Sequence, residues 1–193
     1  MTTHKPYHHG DLRNKLIETG IMLVSEEGMN NFSLRKVAAR CGVSHGAPYA
    51  HFENMEALQK AMGEHVTERF LDKLHRAVQT ETSSRTAITA LGVAYINFFS
   101  DNPHYFNFLF YYSGISIDLD HETCESYPPF AYFREISFAM LNEMGVPEEQ
   151  RTANMLALWS MVHGMASLLT NQAVHYSGNW AEVLTKNLFT GGQ

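Results

Sequence analysis

Cysteine is nearly missing from this chain of 193 residues: Cys41 and Cys124 are the only two, too few for a disulfide framework. No apolar stretch follows a basic N-terminus, so nothing points to export, and a reducing cytoplasm is the expected compartment. Long apolar runs are lacking too. A membrane helix needs roughly 18 apolar residues, and nothing approaches that, so Ala90 to Phe99 and Ala153 to Leu169 read as buried or interfacial helices and no membrane partner is expected. Positive charge is scarce, 14 Lys and Arg against 20 Asp and Glu, and the net charge of −6 argues against a generic nucleic-acid binder.

The constellations that enzymes use are also missing. There is no nucleophile beside a base, no pair of carboxylates on one helix face, no phosphate loop and no zinc spacing, so no catalytic residue, cofactor or metal is expected. Asp118, Asp120, His121, Glu122 and Cys124 form the one cluster of ligand-type residues, and without the glycine and spacing of a calcium or zinc site they read as a solvated acidic loop. His4, His8 and His9 read as part of a flexible arm, with contact to DNA more expected than a metal site.

What is present is a globular composition, 45% hydrophobic, with an uneven charge distribution. Residues 1–52 carry six basic and four acidic side chains, while residues 81–193 carry four basic and eleven acidic. Only charge within about 8–10 Å acts on a phosphate at ordinary salt, so the slightly basic start can still meet a polyanion.

Within that start, Ser33 to Phe52 reads as two short helices around a tight turn. Ser33 can cap the first helix, Leu34, Val37 and Ala38 recur at helical spacing, Gly42 permits the positive φ of a helix exit, and Ser44 can cap the next helix. That is the spacing of a helix-turn-helix, whose second helix enters the DNA major groove. Pro48 lies where a first intrahelical N–H bond would form, so the second helix is expected to start irregularly or as a 3₁₀ turn.

From about Asp11 to Leu58 the chain resembles the DNA-binding domain of the TetR family of transcriptional regulators. The motifs that carry the resemblance are Gly28, Ser33, Ala38 to Ser44 and Tyr49-Ala50-His51-Phe52. The opening Tyr7 to Arg13, Ala47-Pro48-Tyr49 and the later Trp159…Val162-His163-Gly164 resemble one subgroup with a Trp-His-Gly effector domain. The resemblance implies an all-α fold, a homodimer, a double-stranded operator and a small-molecule effector. It departs at Asn54-Met55-Glu56, where the family's usual Lys, a phosphate contact, is Met55.

The expected layout is an arm over 1–10, the helix-turn-helix domain over 11–54 with Phe32 and Phe52 closing its core, a connecting helix over 55–80, and an effector-binding and dimerisation domain over 81–193. Helices are expected over Asp11–Glu26, Met55–Val78, Arg85–Ser100, His104–Tyr112 and Phe130–Met144, then from Pro147 and from Trp180 to Phe189, with residues 113–129 as a loop. The segment from His104 to Tyr112 is aromatic all round and reads as enclosed.

DNA contacts are expected from Ser33, Arg35, Lys36, Ser44, His45, Gly46, Ala47, Tyr49 and His51, with Tyr49 offering its hydroxyl to a phosphate. Tyr95, Phe99, His104, Phe108, Tyr111, Tyr112, Phe133, Trp159 and His163 are the candidates for an effector site, where polar tips stand among apolar walls. His163 reads first as a buried histidine bonded to a carbonyl or to another helix. Ala157, Ser160, Gly164 and Leu168, with Trp180, Leu184 and Leu188, are expected to form a dimer's four-helix bundle. The expected function is a ligand-responsive repressor released or reshaped by a small apolar or aromatic effector. The rival is an all-α carrier or enzyme with a vestigial helix-turn-helix.

Overall fold

The computed structural model describes residues 9–119 and 127–187, with side chains from Leu12 onward. The residues before His9, the run 120–126 that holds Asp120, His121, Glu122 and Cys124, and Leu188 lie outside the described residues. All regular structure among the described residues is helical.

The chain divides into two compact units, one of Met1–Val66 with Asn107–Gly114 and one of Thr67–Phe106 with Ile115–Gln193. The first unit holds α1 (His9–Glu27), α2 (Leu34–Cys41), 3₁₀ turns at Met29–Asn31 and Ala47–Ala50, and the start of α3 (Met55–Val78). Leu16, Ile17, Ile21 and Val24 recur at three- and four-residue steps on α1 and are completely enclosed, as are Val37 and Ala38 on α2 and Leu58, Met62 and Val66 on α3. Phe32 and Phe52 are buried with them. Burying each large side chain stabilises the unit by roughly 1.5–3 kcal/mol.

The second unit is built around α4 (Ser84–Asp101), which touches α6 (Pro128–Glu143), α7 (Glu148–Thr170) and α8 (Trp180–Asn187). Ser83 starts α4 by accepting a hydrogen bond from the Thr86 N–H at 3.2 Å, one residue earlier than the sequence suggests. Pro103 occupies the first position of α5 (Pro103–Tyr111), where its missing N–H costs nothing. Phe70 lies 4.9 Å from Phe98, 4.7 Å from Phe99 and 5.0 Å from Tyr95 between ring centroids. Gly92 lets α8 approach closely: a Cβ there would stand 2.8 Å from Leu184 Cδ2 and 3.2 Å from Val162 Cγ1.

Helix α7 has two unlike faces. Met155, Leu158, Val162 and Ala166 are its buried residues, whereas Ala153, Ala157, Ser160 and Leu168 are exposed and Gly164 is half-buried. Three of the small residues named from sequence therefore stand outside the unit's own core.

Candidate nucleic-acid interface and polar core

The turn between α2 and the residues after it is set by local chemistry. Ser33 has extended backbone and its hydroxyl accepts from the Lys36 N–H at 3.2 Å. At the other end Gly42 has φ +72°, with Gly42 N–H on Ala39 O at 3.1 Å and Val43 N–H on Ala38 O at 3.0 Å. These crossed bonds are a Schellman exit, which satisfies carbonyls that the helix leaves unpaired.

The second helix of the motif is shorter than the sequence suggests. Ser44 does not cap it. The 3₁₀ turn runs only from Ala47 to Ala50, behind Gly46, with no side-chain cap. Pro48 is the physical reason, because it cannot donate to the Ser44 carbonyl and the backbone closes i→i+3 bonds instead: Ala47 N–H to Ser44 O at 3.0 Å and Tyr49 N–H to Gly46 O at 3.2 Å. Pro48 is buried, while Tyr49 on the same turn is 61% exposed. Ser44, His45 and Gly46 are exposed, Ala47 is half-buried, and the half-buried His51 ring tilts against Phe52 at 6.4 Å.

The basic side chains are mostly engaged within the unit. Lys36 Nζ lies 2.8 Å from Glu27 and Arg40 lies 2.7 Å from Glu26. Lys15 Nζ donates to Cys41 O at 3.0 Å, which places a cation on the negative end of α2, and Arg13 stands 5.4 Å from the Phe52 ring centre. Arg35 is exposed and makes no such contact among the described residues. The Lys36 ammonium, and more weakly Arg40, hold the Glu27 carboxyl below its usual pKa.

Two contacts in this unit went unread in the sequence. Asn54 Oδ1 accepts from the Ala57 N–H at 2.8 Å and so caps α3, a role that an Asn ahead of Met55 could have announced. Glu18 meets His65 at 2.8 Å across 47 residues, which no local signal reveals.

The second unit carries the buried polar groups. Tyr95 Oη lies 2.9 Å from His163 Nδ1, Trp159 stacks on the His163 ring at 4.9 Å, and Phe106 lies 5.1 Å from it. The histidine is thus bonded to a side chain of another helix. Burial lowers its pKa, and burial also raises those of Tyr95 and Tyr127, so all three are neutral near pH 7. The Tyr127 hydroxyl is buried and has no hydrogen-bond partner among the described residues. Thr67 restrains its pKa slightly but stands outside hydrogen-bond geometry. Arg134, also buried, donates to the carbonyls of Asp118 and Leu119 at 3.2 Å each and lies over Phe130.

Of the effector candidates, Tyr95, Phe99, Trp159 and His163 join one ring cluster. Phe133 is buried in the same unit, and His104 is half-buried with its ring 4.7 Å from Tyr105. Phe108, Tyr111 and Tyr112 fall in the other unit, where the Tyr112 carbonyl accepts from Gln59 at 3.1 Å. Tyr111 is 65% exposed, which corrects the reading of this segment as enclosed all round: the last turn of α5 turns its ring to solvent. A groove of about 640 Å³ is lined by Arg69, Lys73, Arg76, Phe98, Asp101 and neighbours, and another of about 450 Å³ by Leu168, Tyr176, Trp180 and neighbours. Neither is lined by Tyr95, Phe99, Trp159 or His163.

Among the dimer candidates, Leu184 is fully buried against Gly92 and is spent inside its own unit, so it cannot face a partner. Trp180 is half-buried, and its indole N–H is enclosed with no partner among the described residues.

A sequence profile of bacterial regulatory proteins of the TetR family matches residues 16–62, and a profile of the tetracycline repressor-like C-terminal domain matches residues 88–188. The chain belongs to the TetR family. A protein of unknown function from Rhodococcus sp. RHA1 is 25% identical over 95% of this chain and 94% of its own, with a TM-score of 0.72. A TetR-family regulatory protein from Rhodococcus RHA1 shares the fold at 16% identity, 90% coverage of both chains and a TM-score of 0.68. YerO of Bacillus subtilis, an uncharacterised helix-turn-helix-type transcriptional regulator, is 37% identical over 46 residues, which are 24% of this chain and 16% of that one. In this TetR-family regulator the helix-turn-helix is the DNA-binding element and the C-terminal helices form the second domain. No helix among the described residues is long and apolar enough to cross a membrane.

Proposed function

We propose that this regulator is a homodimeric repressor that binds a palindromic operator and is released or reshaped by a small apolar or aromatic effector. The observation that carries the operator reading is the Ala47–Ala50 turn, which buries Pro48 and leaves Tyr49 exposed, in a unit where Arg35 is exposed as well. Tyr49 offers a hydroxyl to a phosphate or base edge and Arg35 a cation to the backbone. The exposed face of α7, Ala157, Ser160 and Leu168 with the half-buried Gly164, supports pairing with a second copy, because small side chains admit a close helix. The neutral cluster of Tyr95, Trp159 and His163 supports an effector that is apolar with one or two polar tips. Effector binding then biases the separation of two recognition turns relative to one turn of DNA, about 34 Å.

Mobility shift on an operator selected from a genomic library tests the reading. Tyr49→Ala and Arg35→Ala are each expected to weaken binding at moderate salt. Unchanged affinity in both removes these residues from the interface. Recovery of no DNA fragment, with a small molecule retained on purification, would favour the carrier reading.

A further inference from the structure

The two carboxylates that end α1 stand where helix electrostatics disfavours them. The last turn of a helix carries partial negative charge and favours cations, yet α1 closes on Glu26 and Glu27 and has no basic residue in that turn. Each carboxylate instead meets a cation of α2, Glu27 with Lys36 at 2.8 Å and Glu26 with Arg40 at 2.7 Å. All four side chains are between 38% and 47% exposed, so as stabilising bridges these pairs contribute little. Their larger effect is on charge. They neutralise two of the three cations of the helix-turn-helix, Arg35, Lys36 and Arg40, and leave Arg35 as the one without such a partner among the described residues.

We propose that Glu26 and Glu27 set DNA specificity by holding Lys36 and Arg40 in ion pairs, which suppresses sequence-independent binding to the phosphate backbone. This rests on the operator reading above. Non-specific affinity comes almost wholly from phosphate neutralisation and counterion release, so it falls when cations are already paired. Contacts made by Tyr49 and its neighbours with base edges do not depend on those cations, so pairing widens the gap between operator and random DNA.

The test is binding of a random-sequence duplex, followed by fluorescence anisotropy between about 50 and 200 mM salt. The double variant Glu26→Gln/Glu27→Gln is expected to bind it about tenfold more tightly at the lower salt, with a log–log salt slope steeper by up to about two phosphate contacts. Lys36→Gln/Arg40→Gln is expected to abolish the gain in the Gln background. A merely structural role moves the melting temperature without moving the slope. Unchanged affinity and slope in the Glu variants, or a gain that survives Lys36→Gln/Arg40→Gln, overturns the proposal while the operator reading stands. If neither wild type nor variant binds any duplex, selected operator included, both fall together.

Discussion

The two units of this regulator treat polar groups in opposite ways. In the first, charges sit at the surface and pair there, Lys36 with Glu27 and Arg40 with Glu26, at separations that salt and a polyanion can contest. In the second, one polar pair, Tyr95 and His163, is sunk among rings and held neutral. The difference teaches how each can respond. Exposed pairs answer to ionic strength and to DNA, whereas a dry neutral pair answers to proton uptake or to a molecule that enters the rings.

Five changes would break or sharpen that contrast, beginning with the largest. Phe70→Ala removes the ring at the centre of the Phe98, Phe99 and Tyr95 cluster and is expected to cost about 3–5 kcal/mol in chemical denaturation. A cost near 1 kcal/mol would mean that the second unit does not depend on ring packing. In the first unit the larger effects are local. Gly42→Ala, placed at φ +72°, is expected to cost about 1–2 kcal/mol, and Ser33→Ala about 1 kcal/mol, both read by thermal melting.

Tyr127→Phe is expected to act in the other direction. A buried hydroxyl without a partner carries an uncompensated desolvation cost, so its removal is expected to raise stability by about 1 kcal/mol. A loss of stability would show that the hydroxyl is bonded in solution. The smallest effect concerns pH. Burial lowers the pKa of His163 in the folded protein, so between that value and the ordinary 6.5 the unfolded chain binds the extra proton. Stability is therefore fully retained above about pH 6.5 and falls as pH drops below it. Comparison of wild type with His163→Gln between about pH 7.5 and 5.5 isolates this group from the other histidines, and a wild-type acid loss no larger than that of the variant would remove it.

Much of the helical layout was legible because its signals are local. Ser33 and Gly42 bound α2 through bonds to residues at most five positions away, Pro103 opens α5, and the spacing of Leu58, Met62, Val66, Phe70 and Leu74 follows the buried line of α3. The His163 bond to another helix was legible in kind, since a histidine on an apolar stretch needs a partner, but not in identity, because Tyr95 lies 68 residues away.

The sequence alone therefore determined the all-helical class, the helix-turn-helix and the irregular start at Pro48, since each depends on backbone chemistry within a few residues. Tertiary structure decided that Leu184 is consumed against Gly92, that Tyr111 faces outward, and which acids hold Lys36 and Arg40. Those outcomes depend on which surfaces meet, and the periodicity of one helix shows which face is apolar without showing what covers it.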